Sequence, residues 1–340
     1  MAGVVPEAAA ARFFGQAEMC GVRPLDENVQ LIGSPLYHTA VLGFACGALQ
    51  VGHTVVLMDK WSAEGMLQLV EKYQVTYSHM VPTQFHRLLA LPDDVKQRYD
   101  LASIRHIIHA AAPCPVDTKK RMMEWWGPVF EEYYGSTEGG GTTVLAHEWL
   151  AKPGTVGRAW SFSEIAIFDN EGRRLLEPRA VGTVYFKMQG VSFEYHKDRE
   201  KTAQGRIGDF VTVGDIGYLD EDGYLFLCGR KNDVIISGGV NIYPAEIEAA
   251  LLQHPAVRDA AVFGIPNADW GEEVKAVIET AEGGMAGNHL REELLAFCAS
   301  RLARYKLPRS LDFVDALPRD PNGKLYKRAL RDPFWDAAPS

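Results

Sequence analysis

The 340-residue sequence contains no G-x-x-x-x-G-K-[ST] phosphate loop, no G-x-S-x-G elbow and no H-E-x-x-H pair. Those absences exclude a Walker-type NTPase, an α/β-hydrolase nucleophile and a zincin metal helix. Cysteine is scarce: Cys20, Cys46, Cys114, Cys228 and Cys298 are the only five, and no two stand at metal-ligand spacing. That pattern points to buried thiols in a reducing, cytoplasmic setting rather than to a disulfide framework. Basic excess is also missing. A net charge of −9 and a pI near 5.6 argue against a general nucleic-acid binder, and the run Lys119-Lys120-Arg121 reads as a solvated helix face. No long apolar run occurs. The most apolar stretch, Thr39 to Met58, is broken by Gly43, Gly47, Gln50, Gly52 and His53, so it reads as a core helix and a strand rather than a membrane span. The first residues carry no basic leader ahead of their apolar part, and no internal repeat is visible.

What is present has the composition of a globular protein, 47% hydrophobic and 23% charged, and a length that suggests two or three domains. From Val29 to about position 150, strand and helix patterns alternate: strands at Val29–Gly33, Val55–Met58, Val75–Met80, Ile104–Ala110 and Val129–Tyr134, with helices between them. One helix shows Met66, Leu69, Val70 and Tyr73 at the spacing of a single face. The rhythm predicts a parallel sheet covered by helices, with ligands beyond the carboxyl ends of its strands. Residues 154–230 are strand-rich and turn-rich, predicting a small antiparallel sheet or barrel. Residues 231–340 return to mixed patterns, with Pro244 at a helix start, and predict a small α+β domain. The fold class is therefore α/β: a partial large lobe over 1–230 (1–150 α/β, 151–230 β-rich), then a small C-terminal domain over 231–340.

Several segments carry chemistry. Asp215 and Arg230 end the two strands of one hairpin around Asp222-Gly223. A carboxylate suits a vicinal diol and a guanidinium suits a diol or phosphate, which gives a nucleotide-ribose reading; a surface hairpin with a salt bridge is the plainer alternative. Tyr134-Gly135-Ser136-Thr137-Glu138 joins a stacking ring, a glycine allowing close backbone approach, two hydroxyls and an acid at a strand end. Ala110-Ala111-Ala112-Pro113 follows the preceding strand. Pro318 to Lys324 is a loop stiffened by two prolines that presents a lysine. His38 follows the first strand, as a turn histidine or as the border of a pocket.

Taken together and in order, PLYH at 35–38, HAAAP at 109–113, YYGSTE at 133–138, VGD at 213–215, GRKNDVIISGGVNIYPAEIE at 229–248, WGEEVKA at 270–276, YKLPR at 305–309 and PRDPNGK at 318–324 resemble the acyl-adenylate-forming (AMP-binding) superfamily, closest in look to a fatty-acid or related acyl-CoA ligase. The resemblance implies activation of a hydrophobic, fatty-acid-like carboxylate as acyl-AMP and its transfer to the thiol of CoA, with ATP/AMP, Mg²⁺ and CoA as ligands. By the same resemblance, Ala111, Ala112 and Pro113 form the adenine wall, and Tyr134, with Gly135 and Ser136 after it, stacks on the base. Thr137 touches the α-phosphate and Glu138 holds the metal. Asp215 takes the ribose hydroxyls and Arg230 the ribose or phosphate. Lys324 bridges carboxylate and α-phosphate, and Gly238 and Gly239 line the pantetheine passage. Asn232 is the hinge between the lobes. His38, Phe44, Thr83, His109 and Ala110 border the acyl pocket.

Two departures stand out. The hinge, usually Asp or Lys in this family, is Asn232. The family's Ser/Thr/Gly-rich phosphate loop ending Pro-Lys-Gly has no counterpart before Pro35. This implies an intact AMP half-site and a deficient pyrophosphate half, as in a fragment, a misplaced start or one part of a split enzyme. Such a chain would pass a supplied acyl-AMP to CoA better than it forms acyl-AMP from ATP, and its sheet would expose an apolar flank. The alternatives are a pseudoenzyme that binds AMP or acyl-AMP without turnover, and an adenylating enzyme with another acceptor.

Overall fold

The computed structural model describes residues 14–24, 26–136, 140–188, 205–281, 286–319 and 325–336. Five short strands form its parallel part: β1 (Val29–Ile32), β2 (Thr54–Leu57), β3 (Tyr77–Met80), β4 (His106–His109) and β5 (Phe130–Gly135). They lie in the order β2-β1-β3-β4-β5, each parallel to its neighbour. Helices α1 (Thr39–Gln50), α2 (Ala63–Tyr73), α3 (Pro82–Leu89) and α4 (Val116–Trp126) connect them.

Local chemistry sets these helix starts. Ser62 caps α2 by accepting from the Gly65 N–H at 3.2 Å. Pro82 occupies the first turn of α3, and the Gln84 side chain reaches back to the Val81 N–H at 3.0 Å. The helix stripes seal both sides of the sheet. Met66, Leu67, Val70, Phe85, Leu88 and Met122 pack on one face with Met80, Ile107 and Phe130; Phe44 and Ala48 pack on the other with Tyr77, Ile108, Ala110 and Tyr133. Each large side chain buried in this way contributes about 1.5–3 kcal/mol.

The strand-rich region is antiparallel, as expected, and its described strands join the parallel part. After β5 come β6 (Gly141–Val144), the short helix α5 (Ala146–Ala151), β7 (Thr155–Ala159), β8 (Ser163–Phe168), β9 (Arg174–Leu175), β10 (Gly182–Met188), β11 (Arg206–Ile207), β12 (Phe210–Val211), β13 (Asp215–Leu219) and β14 (Leu225–Arg230). These antiparallel strands extend the parallel ones through β6 and β7 into one 14-stranded sheet, ordered β11-β12-β10-β13-β14-β7-β6-β5-β4-β3-β1-β2, with β8 and β9 beside β10. A second, five-stranded sheet follows: β15 (Ile235–Ser237), β16 (Val240–Ile242), β17 (Val257–Asn267), β18 (Gly271–Thr280) and β19 (Ser310–Val314). It is packed by α6 (Pro244–Leu251), α7 (Asn288–Ala299) and α8 (Lys327–Asp336). Among the described residues no helix is long and apolar enough to cross a membrane.

Three sequence expectations are corrected. Tyr73 is 42% exposed, and Leu67 takes its place on the buried face of α2, because Leu67 stands three residues before Val70 and so shares its side of the helix. Cys20 and Cys298 are buried, but Cys46, Cys114 and Cys228 are only half-buried; all five are free thiols. The largest correction is Lys119. It shares the inner face of α4 with Thr118, Met122 and Met123, and it is 0% exposed rather than solvated. Its Nζ donates to Glu132 Oε2 at 3.0 Å and lies 4.7 Å above the Trp149 ring.

The adjacent Glu131 turns to the opposite face. Its Oε1 lies 3.4 Å from His106 Nδ1, while its buried Oε2 has no protein partner. Burial pushes the Glu131 carboxyl up, and His106 opposes the shift.

Lys119→Met leaves Glu132 buried without a cation and is expected to cost about 3–5 kcal/mol in urea unfolding, with Lys119→Met/Glu132→Gln recovering most of it. Glu131→Gln has the opposite sign. A carboxyl raised in the folded state contributes stability below its unfolded value of 4.5 and loses it as pH rises through the folded value. The glutamine variant should therefore melt higher than the parent at pH 7, and the difference should close as the pH falls towards 4.5 in a thermal series.

Candidate functional site

The parallel strands deliver their carboxyl ends to one edge of the sheet. There β4 runs into Ala110, which is buried, then Ala111, Ala112 and Pro113, which face outward or are half-buried. Ala111 has φ +75°, the left-handed region that a β-carbon disfavours. Strain at a strand end, beside small side chains, leaves backbone accessible to a flat ligand. At the end of β5, Tyr134 is half-buried and Gly135 exposed. Thr137 and Glu138, the expected phosphate and Mg²⁺ contacts, lie outside the described residues; Ser136, just before them, is half-buried.

Asp215 and Arg230 face each other in register at the ends of β13 and β14. Arg230 Nε lies 3.3 Å from Asp215 Oδ1, and the Tyr134 hydroxyl donates a short hydrogen bond to Asp215 Oδ2. Burial, together with the Asp215 charge and that bond, pushes the Tyr134 hydroxyl far up, with Arg230 opposing. The phenol therefore stays a donor. Its ring also packs 5.6 Å from Phe186. Tyr134, Asp215 and Arg230 thus form one constellation, although Tyr134 and Asp215 are 81 residues apart in the chain.

The expected acyl-pocket residues divide between the two sides of the sheet. Phe44 and Ala110 lie on the α1 side, in one cluster with Tyr133. His38 is the residue before α1, and its buried Nε2 has no partner. His109 faces the other side: it is 0% exposed, 5.2 Å from the Phe85 ring and 3.5 Å from Glu132 Oε2. Neither ring nitrogen of His109 makes a hydrogen bond, and burial followed by Lys119 holds its pKa well below the ordinary histidine value. Thr83, half-buried in the first turn of α3, belongs to a segment packed on that second side. Sequence reasoning missed His79 and Tyr133, which adjoin Phe44. Their signal is the strand alternation that turns His79, Ile108 and Tyr133 to one face.

The second sheet meets the first across a short turn. Lys231–Asp233 forms a single 3₁₀ turn; the Lys231 N–H donates to Gly214 O at 2.7 Å, and the Arg331 side chain reaches the Asn232 carbonyl at 3.5 Å. Gly238 and Gly239 make the β15–β16 turn with φ of +57° and +78°, values that require glycine or a similarly permissive residue. A β-carbon on Gly238 would come 2.6 Å from the Trp270 ring. This hairpin is exposed to solvent. Lys324 lies outside the described residues, but the base of its loop is closed by an Arg319–Leu325 bridge. Arg319 is ion-paired to Asp259 at 2.5 Å, and His86 of α3 sits against Asp259 and the Arg258 backbone. Among the described residues no group of three or more His, Cys, Asp or Glu is placed to hold a metal ion.

A mixed α/β sheet thus carries a Tyr-Asp-Arg cluster at its strand ends and is followed by a smaller five-stranded sheet with its own helices, the class of a mixed α/β protein. Comparison with known proteins gives the class a family. The family model described as AMP-binding enzyme matches residues 4–196, and that of the AMP-binding enzyme C-terminal domain matches residues 246–324. The chain belongs to the AMP-binding enzyme family. It is 34% identical to the long-chain-fatty-acid–CoA ligase of Bacillus subtilis, over 87% of this chain and 52% of that one. It is 36% identical to a feruloyl-CoA synthase of Amycolatopsis sp, over 89% and 61%. Among solved structures, the amide bond synthetase McbA from Marinactinospora thermotolerans superposes with a TM-score of 0.81 at 32% identity, over 96% of this chain and 65% of that one. The o-succinylbenzoate CoA synthetase of Bacillus subtilis, solved with its acyl-adenylate intermediate, gives 0.79 at 30% identity, over 94% and 64%. The chain thus spans 52% to 61% of the length of the two ligases.

Asp215→Asn keeps the side-chain volume but removes the charge. It is expected to weaken AMP binding roughly 10–100-fold by titration calorimetry, the range of hydrogen bonds to a charged group. Unchanged affinity would separate Asp215 from the nucleotide.

Proposed function

We propose that this chain handles the adenylate and the thiol acceptor in an AMP-forming acyl-CoA ligase. The observation that carries the reading is the meeting of Tyr134, Asp215 and Arg230, with Ala111 to Pro113 following β4, the strand next to that of Tyr134. In this reading Ala111, Ala112 and Pro113 flank the adenine. Asp215 exchanges its contacts to Tyr134 and Arg230 for the two ribose hydroxyls, and the freed phenol and guanidinium turn to the nucleotide. Residues 1–230 form the large lobe and 231–340 a small lobe that swings about Asn232.

The chemistry explains why two arrangements are needed. A carboxylate oxygen of the acid forms a bond to the α-phosphorus of ATP while the bond to pyrophosphate breaks. The carboxyl thereby gains AMP as a leaving group. Two anions converge in that step, so Lys324 would supply positive charge, and Glu138 would be the residue to hold a Mg²⁺ ion that shields phosphate charge. In the second step the CoA sulfur bonds to the acyl carbon, AMP departs and the thiol proton goes to solvent. That step calls for a narrow passage, which the Gly238-Gly239 turn suits because it has no side chains to obstruct it. The solvent-facing Gly238-Gly239 turn, the Arg319–Asp259 pair and the contact of His86 with Asp259 support a lobe arrangement suited to the first step.

A further reading concerns the flank at β2. Leu36, Tyr37, Leu42, Leu49 and Leu57 are exposed there by 38%, 70%, 47%, 62% and 57%. These apolar side chains support a complementary segment or chain that covers β2 and α1.

In an enzyme complemented for the phosphate loop, Lys324→Ala is expected to slow acyl-AMP formation from ATP by ~10²–10³, the usual cost of one charge stabiliser, while transfer of supplied acyl-AMP to CoA stays within about threefold. Hydroxamate trapping reads the first step and thioester release the second. Equal losses in both would take Lys324 out of the adenylation role.

A further inference from the structure

Between α1 and the sheet, beside Ala110, three rings occupy the space that an acyl chain would enter. Phe44 lies 4.9 Å from His79 and 6.0 Å from Tyr133, and His79 lies 5.8 Å from Tyr133. Phe44, His79 and Tyr133 are 4%, 6% and 8% exposed. A long alkyl chain running under α1 would have to displace this plug, and a packed core resists rearrangement of that size.

The plug is not purely apolar. The Tyr133 hydroxyl and His79 Nε2 are hydrogen-bonded at 3.0 Å, while His79 Nδ1 is buried with no partner among the described residues. Burial lowers the pKa of His79 to about 4 and pushes the Tyr133 phenol up, so both groups are neutral near pH 7. If Tyr133 donates to Nε2, then Nδ1 carries the proton and lacks an acceptor. If Nε2 donates to Tyr133, then Nδ1 is a bare acceptor and lacks a donor. A hydroxyl group satisfies either tautomer, whereas a second carboxylate would enter a buried, uncharged lining without a counter-ion. Near the entrance, His38 Nε2 is a second buried nitrogen without a partner. Ala110, next in the chain to the proposed adenine wall, packs in one cluster with Phe44 and Tyr133, which sets the plug beside that wall.

We infer that the acid taken by this site is compact and carries a hydroxyl group remote from its carboxylate, with His79 as the residue that selects for it, rather than a long unsubstituted fatty acid. The inference rests on the adenylate reading above.

The test measures calorimetric binding of AMP and of non-hydrolysable N-acylsulfamoyl-adenosines whose acyl groups are benzoyl, 2-, 3- or 4-hydroxybenzoyl, and decanoyl. The best hydroxybenzoyl isomer is expected to bind about tenfold more tightly than benzoyl, the size of one good neutral hydrogen bond, and decanoyl more weakly than either. His79→Leu should bring the hydroxybenzoyl-to-benzoyl ratio to about one, while His79→Asn, whose amide both donates and accepts, should restore part of it. AMP affinity in each variant reports whether the site has folded. Tighter binding of decanoyl than of every hydroxybenzoyl isomer, or a hydroxyl preference that survives in His79→Leu, would overturn the inference. Failure of AMP and of all five mimics to bind the parent protein would remove the adenylate reading, and this inference with it.

Discussion

The hydrogen bond from Tyr134 to Asp215 is the contact on which the site depends, because the sheet must curl to make it. Tyr134 is on β5 and Asp215 on β13, and β6, β7 and β14 lie between them in the sheet. Four strand spacings of about 4.8 Å would hold the two backbones roughly 19 Å apart in a flat sheet, beyond the combined reach of a tyrosine and an aspartate. The backbone shows where the bending arises. Gly157, at φ +100°, sits so close to β6 that a β-carbon would lie 2.2 Å from Thr143 O. Register shifts occur at Ile216/Gly217 and at Leu225/Phe226, and such irregularities sharpen twist and bend strands. The parallel half therefore supplies the wall, the antiparallel half supplies the acid and the arginine, and the curl brings them together.

Buried charge is distributed unequally over the two sides of the same strands. On the α4 side, Lys119 pairs with Glu132 within hydrogen-bond distance, and burial still pushes the Glu132 carboxyl up against the pull of that cation. On the other side, Glu131 has only His106 at 3.4 Å, and one of its oxygens is left over. The histidines at the strand ends follow the same division. His109 is enclosed among hydrophobic rings and the Lys119 pair, whereas His79 is enclosed with Tyr133 on the α1 side. Both stay neutral because burial penalises the imidazolium.

How much of this could be read from the sequence depends on how local each feature is. The Asp215–Arg230 pairing was legible because both residues belong to one hairpin whose turn, Asp222-Gly223, announces itself. The Gly238-Gly239 turn and the start of α6 at Pro244 were legible for the same reason. The parallel strands were found to within about two residues from their apolar runs and intervening helices. Lys119 was misread because a run of three cations suggests solvent, whereas helical spacing from Met122 and Met123 was the better guide to its orientation. The joining of the antiparallel strands to the parallel sheet through β7 could not be read, since ladder partners distant in sequence leave no local mark. The opposite orientations of His109 and Phe44 were also hidden; they follow only once the face of each strand residue is known.

Arg230 is the last residue of β14 and immediately precedes the 3₁₀ turn at Lys231–Asp233. The guanidinium that holds Asp215 is thus fastened to that turn itself, and the next backbone amide is tied to Gly214, the neighbour of Asp215. A molecule that claims the Asp215 oxygens loosens one of these two tethers and leaves the other in place. On the proposed reading, ribose binding at Asp215 and movement at Asn232 would be geared to each other, with a single carboxylate as the clutch.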